Sequence, residues 1–128
     1  MKVYHFSGIE DCKSIEELSS VLDLRYDTGV NEFTMIDEKK DYPYLIIMVK
    51  NEHAVLTYFP KEEGQMFQAT GEDTGLNLNE TSVFCFGTPN QETEVWNEFV
   101  VPFTKAKEVA IEFFNKLSLP TCVKWSMQ

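Results

Sequence analysis

Residues 99–125 decide the fold of this chain, and they read FVVPFTKAKEVAIEFFNKLSLPTCVKW. The centre of this stretch repeats apolar residues at the i, i+3, i+4, i+7 spacing that lines one face of a helix, and a proline stands on either side of it. The apolar residues are Ala106, Val109, Ala110, Phe113, Phe114 and Leu117. The pattern predicts an amphipathic helix, then a short strand that ends on Trp125, and the helix needs an apolar surface to pack on.

Upstream segments predict that this surface is a β-sheet. Residues 44–49 form an uninterrupted apolar run of strand length, typical of a strand covered on both faces, and we place it at the sheet centre. A short polar connection joins it to residues 54–59, which predicts an antiparallel hairpin. Further strands are predicted at residues 3–7, 33–36, 65–69, 82–86 and 95–101.

A second helix is predicted near the N-terminus. Ser14 and Glu17 have the spacing of a capping box, and apolar residues then recur at helical spacing until about residue 24. The chain carries no repeat and no linker composition, so residues 1–128 are expected to be a single domain. Two helices with about six or seven strands predict an α+β fold whose mostly antiparallel sheet packs against the C-terminal helix.

Charge limits the classes of partner. The chain has 21 acidic and 11 basic residues, a net charge of −10, and residues 51–100 hold nine of the acidic residues and one of the basic ones. Nucleic acids and anionic membranes bind surfaces of the opposite sign, so neither is expected to be a partner. A basic protein fits this acidic segment, although acidity that serves only solubility is the plain alternative.

Residues that could support catalysis or hold a metal form no known motif. Cys12, Cys85 and Cys122 are odd in number and widely spaced, and His5 and His53 are not at metal-ligand spacing. No nucleotide-binding or nucleophile motif occurs, so we predict no catalytic residue, no metal and no cofactor. The N-terminus does not resemble an export signal and no apolar run reaches membrane length, which favours a cytoplasmic protein with reduced cysteines.

Aromatic residues divide into predicted core and predicted surface. Trp96 and Trp125 are interpreted as core residues, because tryptophans on strands near several phenylalanines usually pack inside. Tyr58 stands at a predicted strand end, shortly before Glu62 and Glu63, and is interpreted as an aromatic that faces a partner.

The C-terminal third carries a resemblance to a known family. Its order is Pro102, a helix ending in Phe113-Phe114, an apolar residue with Pro120, and a terminal Val-x-Trp at Trp125. This order resembles the Imm1 family of bacterial immunity proteins, which neutralise polymorphic toxins. One departure is Ser118, where we expect the family to prefer glycine just past the helix.

The resemblance implies an α+β fold, no enzymatic activity, a bacterial cytoplasmic location and one cognate toxin, often a nuclease or a nucleic-acid deaminase. Such a toxin needs a basic groove for its substrate, and an acidic inhibitor could cover that groove. We therefore predict a contact set of loop carboxylates with one apolar anchor, Tyr58 or Phe67. The predicted carboxylates are Glu62, Glu63, Glu72, Asp73, Glu80, Glu92 and Glu94.

Two rival functions come from other classes. The chain could be a small enzyme that uses surface carboxylates or Cys12, or an adaptor subunit that recognises a protein other than a toxin.

Overall fold

The computed structural model describes residues 1–128 and has the predicted α+β class, with two helices and ten strands. Every strand pair is antiparallel. The helices are α1 (Ile15–Leu22) and α2 (Phe103–Lys116), and a 3-10 turn spans Asn97–Phe99. The strands are β1 (Lys2–His5), β2 (Gly8–Asp11), β3 (Val30–Ile36), β4 (Tyr44–Lys50), β5 (His53–Phe59), β6 (Phe67–Thr70), β7 (Thr81–Cys85), β8 (Glu92–Trp96), β9 (Val101–Pro102) and β10 (Lys124–Met127).

Eight strands form the main sheet, in the order β10-β6-β5-β4-β3-β1-β2, with β9 also paired to β5. The central position predicted for residues 44–49 is confirmed, because β4 pairs with β3 on one side and with β5 on the other. The predicted strand number is too low. The four residues of β2 are all exposed and β9 has only two residues, so neither gives the apolar alternation that identifies a strand.

Both helices contribute to the main core, on one face of the sheet. The predicted apolar stripe of α2 packs there, and Phe113 is fully buried with Ile47 and Leu56 from the central strands. Burying a side chain of this size contributes roughly 1.5–3 kcal/mol. Neither helix has the length and apolar character that crossing a membrane requires.

The end of α2 differs in detail from the expectation for Ser118. The left-handed residue is Leu117, with φ 51°, and its N–H donates to the Phe113 carbonyl at 2.8 Å. Leu117 also packs against the main core. Side-chain packing therefore accompanies a backbone conformation that glycine would adopt with less strain.

Polar contacts join the two helices. Lys107 Nζ lies 2.7 Å from the Asp23 carboxylate and donates to the Ser19 hydroxyl at 3.0 Å. Arg25 donates to the Leu22 carbonyl at 2.6 Å and its guanidinium lies 4.3 Å from the centre of the Phe103 ring. The α1 helix ends at Leu22, two residues earlier than predicted, and Arg25 binds a carbonyl freed there.

The hairpin of β7 and β8 is a separate two-stranded sheet on the opposite face of the main sheet. A second, smaller core lies beneath it and contains Met48, Val55, Phe84 and Val100. The protein thus has three layers, in the order helices, main sheet and hairpin.

The strand predicted over residues 95–101 is not continuous, because residues 95 and 96 end β8, the 3-10 turn follows, and residue 101 begins β9. Asn97 is buried there, donates to the Asn77 carbonyl at 2.8 Å and accepts a hydrogen bond from the Ser82 hydroxyl. Its backbone N–H donates to the Glu80 carbonyl at 3.0 Å. These bonds fix the turn and hold the preceding loop against the hairpin.

Candidate protein-binding surface

The outer face of β8 combines carboxylates with an exposed tryptophan. Residues alternate along the strand, so Glu92, Glu94 and Trp96 are exposed while Thr93 and Val95 are half-buried. Trp96 is 54% exposed, and the prediction that it belongs to the core is therefore wrong. The carboxylates and the indole share one face because they stand two residues apart.

Trp125 behaves as predicted. It is half-buried and packs against the main core, and its ring centre lies 6.2 Å from that of Tyr58. Its Nε1–H donates to the Pro120 carbonyl at 2.7 Å, which satisfies the polar end of the indole. This tryptophan connects β10 to the segment that follows α2.

A groove of about 470 Å³ separates β8 from the main sheet. The hairpin covers only part of that sheet face, and the uncovered part forms the floor of the groove. Residues from β4, β5 and β6 line this floor, and Trp96 and the half-exposed Phe86 belong to its walls. The lining residues are Ile46, Met48, Thr57, Phe59, Met66, Gln68, Phe86, Thr93, Glu94, Val95, Trp96, Phe99 and Gln128.

The two predicted apolar anchors do not line this groove. Tyr58 is 6% exposed and belongs to the main core, where its ring contacts the edge of Phe113. Phe67 packs against the same core, with its ring centre 6.3 Å from that of Tyr58. Both side chains lie on the helix side of the sheet, where Tyr58 is buried and therefore not an exposed anchor, while Phe67 is half-buried. Their sequence neighbours, Phe59 and Gln68, face the groove instead.

Three of the predicted carboxylates lie on the hairpin. Glu92 and Glu94 are exposed on β8, and Glu94 accepts a long hydrogen bond of 3.5 Å from the Thr81 hydroxyl on β7. Glu80 is exposed immediately before β7, where Asn77 donates to its carboxylate at 3.4 Å. Glu92 and Glu94 share the exposed face of β8 with Trp96.

Glu72 and Asp73 lie in a different place. Together with Glu98 they line a recess of about 480 Å³ beside the loop that follows β6. Asp73 accepts a hydrogen bond from the Gly75 N–H at 3.0 Å. The pKa of Lys105 on α2 is raised mainly by its hydrogen bond to Glu108, and the charge of Glu72 adds to the shift. The recess shares no lining residue with the groove beside β8.

Glu62 and Glu63 form a third group, on the exposed loop between β5 and β6. Phe59 and Met66, which flank this loop, both line the groove. The predicted carboxylates thus occupy three places and do not form one cluster. The groove itself is lined by one carboxylate, Glu94, and by no lysine, arginine or histidine.

The geometry offers little support for a nucleophilic cysteine or serine. Burial raises the pKa of the Cys12 thiol, which disfavours the reactive thiolate. His5, Ser7 and Glu10 meet at the turn between β1 and β2, but the Ser7 hydroxyl donates to the Tyr26 hydroxyl at 2.8 Å and not to the imidazole. No group of three or more His, Cys, Asp or Glu side chains is placed to hold a metal ion.

One carboxylate lies partly buried beside the hairpin. Glu32 on β3 accepts a hydrogen bond from the Gly87 N–H at 3.3 Å, while its second oxygen, Oε2, is buried without a partner. Burial raises the pKa of Glu32, and the hydrogen bond from Gly87 only partly offsets that shift. This contact links the turn between β7 and β8 to the main sheet.

Sequence reasoning missed the aromatic part of the surface, namely Trp96, Phe86 and Phe99. The available signal was the phase of β8, because Trp96 is two residues from Glu94 and four from Glu92. Alternation places such residues on one face, and two carboxylates mark that face as exposed. No comparable signal identifies Phe86 and Phe99, which lie outside regular strands.

Comparison with models of known protein families and with curated proteins finds no match for this chain. The resemblance to the Imm1 family stays a prediction that rests on the C-terminal residues quoted above. The interpretation of the surface rests on its own geometry, an acidic hairpin face that borders an apolar groove.

Proposed function

We propose that this protein is an immunity protein that binds and neutralises a cognate bacterial toxin, a nuclease or nucleic-acid deaminase with a basic substrate groove. The observation that carries the proposal is the outer face of β8, where Glu92 and Glu94 stand beside the exposed Trp96. Carboxylates steer a basic partner into place, and a desolvated aromatic side chain holds it there. The hairpin face thus replaces the loop contacts as the proposed centre of recognition.

The arrangement of charge supports the same function. Residues 51–100 hold nine carboxylates and one lysine, while α2, on the other face of the sheet, carries three lysines and two glutamates. An inhibitor that blocks a phosphate-binding groove needs this excess of negative charge on the face it presents. The loop carboxylates Glu62 and Glu63 lie on the exposed loop next to the groove, whereas Glu72 and Asp73 line a separate recess.

The test uses the product of the neighbouring gene, expressed with and without this chain. We expect that product to arrest growth when it is expressed alone, and co-expression of this chain to restore growth. The association rate constant of the purified pair should fall steeply with salt. A protein that fails to relieve the arrest, or a neighbouring product that is harmless, contradicts the proposal.

Reversing the charges on the outer face of β8 tests whether the toxin contacts that face. The double variant Glu92→Lys, Glu94→Lys should lower the association rate constant by about ten-fold or more and flatten its salt dependence. The matched control is Glu16→Lys, on the exposed side of α1 across the sheet, which should change the rate by less than about two-fold. Unchanged binding in the double variant would place the contact elsewhere on the molecule.

If the chain were an enzyme, the purified chain and the toxin would behave differently in a titration. A catalyst would consume the toxin or its substrate at substoichiometric amounts, whereas a stoichiometric inhibitor titrates the toxin one to one. Titration of toxin activity with the purified chain separates the two functions, because only an inhibitor shows an end point at equal concentrations.

A further inference from the structure

We propose that the groove between β8 and the main sheet binds an extended segment of the partner in which a large apolar side chain stands next to an arginine or lysine. The partner class, a basic protein, is taken from the proposed function, on which this inference rests. The inference adds the mode of recognition: one apolar side chain enters the groove while its cationic neighbour meets Trp96 and Glu94.

The shape of the groove suits a side chain. Its volume of about 470 Å³ falls within the range of roughly 300–1,000 Å³ that is usual for ligand pockets. Eight of its 13 lining residues are hydrophobic, among them Ile46, Phe59 and Phe99, so an inserted apolar group meets a mostly apolar lining. Met48 and Met66 add flexible side chains that can adjust to the shape of an occupant.

The chemistry of the rim selects a cation. Trp96 is 54% exposed, and the face of an indole attracts a guanidinium or ammonium group. Glu94 is the one charged residue of the lining, and Glu92 stands two residues away on the same strand face. No cation of the protein neutralises either carboxylate through a salt bridge. A cationic side chain that reaches the indole therefore also finds unpaired carboxylates.

The same charges argue against a second copy of this chain as the occupant. Two copies would each bring a net charge of −10, and a symmetric contact would bring the carboxylates of both β8 strands together. Like charges brought together in such a contact repel each other and oppose association. A basic segment of another protein avoids this repulsion and gains the attraction instead.

The test selects peptides from a random 12-residue display library on the immobilised full-length chain. Pre-clearing on the bare support removes peptides that bind the matrix, and isothermal titration then measures synthetic copies of the enriched peptides on the wild type and on each variant. We expect an arginine or lysine within two positions of an aromatic or large aliphatic residue. Trp96→Ser should weaken binding at least ten-fold, and Glu94→Gln about five-fold.

Two control variants distinguish binding in the groove from nonspecific binding to exposed apolar or acidic side chains. Ile9→Ser removes an equally exposed apolar side chain, 55% exposed on the outer strand β2, and Glu16→Gln removes an exposed carboxylate on α1. Both variants should bind the peptides like the wild type. Since Trp96 is mostly exposed, its variant should keep the far-UV circular dichroism of the wild type, which verifies that the fold is intact.

Three results would overturn the inference. They are enriched peptides without a cation, peptides that bind the Trp96→Ser variant as tightly as the wild type, and a concentration-dependent dimer of the wild type that Trp96→Ser abolishes. The selection contains no toxin, so it can fail while the chain still neutralises its toxin through the acidic loops. Growth rescue can likewise fail while the peptides bind as expected, and the two proposals are thereby tested separately.

Discussion

Glu32 carries a carboxyl group whose buried surroundings favour its neutral, protonated form. Its Oε2 is the one buried side-chain oxygen or nitrogen without a hydrogen-bond partner, and burial raises the pKa of the carboxyl group. The ordinary value for a glutamate here is 4.5. Because the folded protein binds this proton more tightly than the unfolded chain does, the stabilisation from Glu32 is complete below that value. It is lost as pH rises through the folded pKa.

The first prediction concerns Glu32→Gln. At pH 7 the variant should be more stable than the wild type by about 1 kcal/mol, because a neutral side chain avoids the cost of burying a charge. The difference should shrink as pH falls through the raised pKa of Glu32, because the wild-type side chain is then protonated and neutral as well. Urea unfolding at several pH values measures the free energy of unfolding of each protein.

The control for this series is Glu38→Gln, a change at an exposed carboxylate between β3 and β4. That variant should track the wild type within about 0.5 kcal/mol at every pH. A wild type that is more stable than Glu32→Gln at pH 7 would mean that the ionised carboxylate stabilises the fold.

Helices and strands with a strong apolar periodicity were predictable from the sequence. Features that depend on tertiary contacts, such as an exposed strand or the end of a strand, were not. The apolar run of β4 predicts a buried strand and the apolar stripe of α2 predicts a helix, because few other structures accommodate such patterns. The exposed strand β2 offers no pattern to detect. The end of β8 is set by Asn97, whose hydrogen bonds reach Asn77 and Ser82 and are invisible in a local window.

The carboxylates of the candidate surface were predictable from the sequence, but its apolar residues were not. The exposed carboxylates of the hairpin follow from composition, whereas the choice of Tyr58 over Phe59 was an error of one residue along β5. Adjacent residues of a strand face opposite sides of the sheet, so such an error exchanges a core residue for a groove residue. The helix on one side and the hairpin on the other make both faces apolar, which removes the usual signal.

The second prediction concerns the hairpin as a unit. β7 and β8 rest on a small core, whereas β4 and β5 lie between the helices and the hairpin. Elements with less buried apolar contact open at lower free energy, so amide hydrogens of β7 and β8 should exchange at least ten-fold faster than those of β4 and β5. Hydrogen–deuterium exchange with mass spectrometry measures this difference.

A partner in the groove should slow exchange in the hairpin, because it adds contacts between β8 and the main sheet. Helix α2 provides an internal reference for the same sample, since it packs on the opposite face. Equal exchange in the hairpin and in the central strands would contradict the view of the hairpin as a separately opening unit.

For the whole molecule, the main sheet separates two surfaces of different chemistry. The helix side holds the main core and three lysines of α2, and the hairpin side holds the groove and the carboxylates of β8. A net charge of −10 opposes association between copies of the chain at neutral pH. That repulsion should disappear near the isoelectric point, about 4.6, where the exposed apolar groove becomes free to associate.

The third prediction follows from this balance. Light scattering of the wild type should rise sharply as pH approaches 4.6, and Trp96→Ser should reduce the scattering at least two-fold. Ile9→Ser, which changes an exposed apolar residue on β2, should leave it nearly unchanged. Equal protection by both variants would show that association does not use the groove.

The positions of the two tryptophans give the protein a built-in pair of optical reporters. Trp96 is solvated at the rim of the groove, whereas Trp125 is half-buried against the main core with its indole N–H bonded to the Pro120 carbonyl. Acrylamide should quench the emission of Trp96 first. A ligand in the groove should shield Trp96 and shift its emission to shorter wavelength, while denaturation should shift Trp125 to longer wavelength. Intrinsic fluorescence thus distinguishes occupancy of the groove from loss of the fold without any added label.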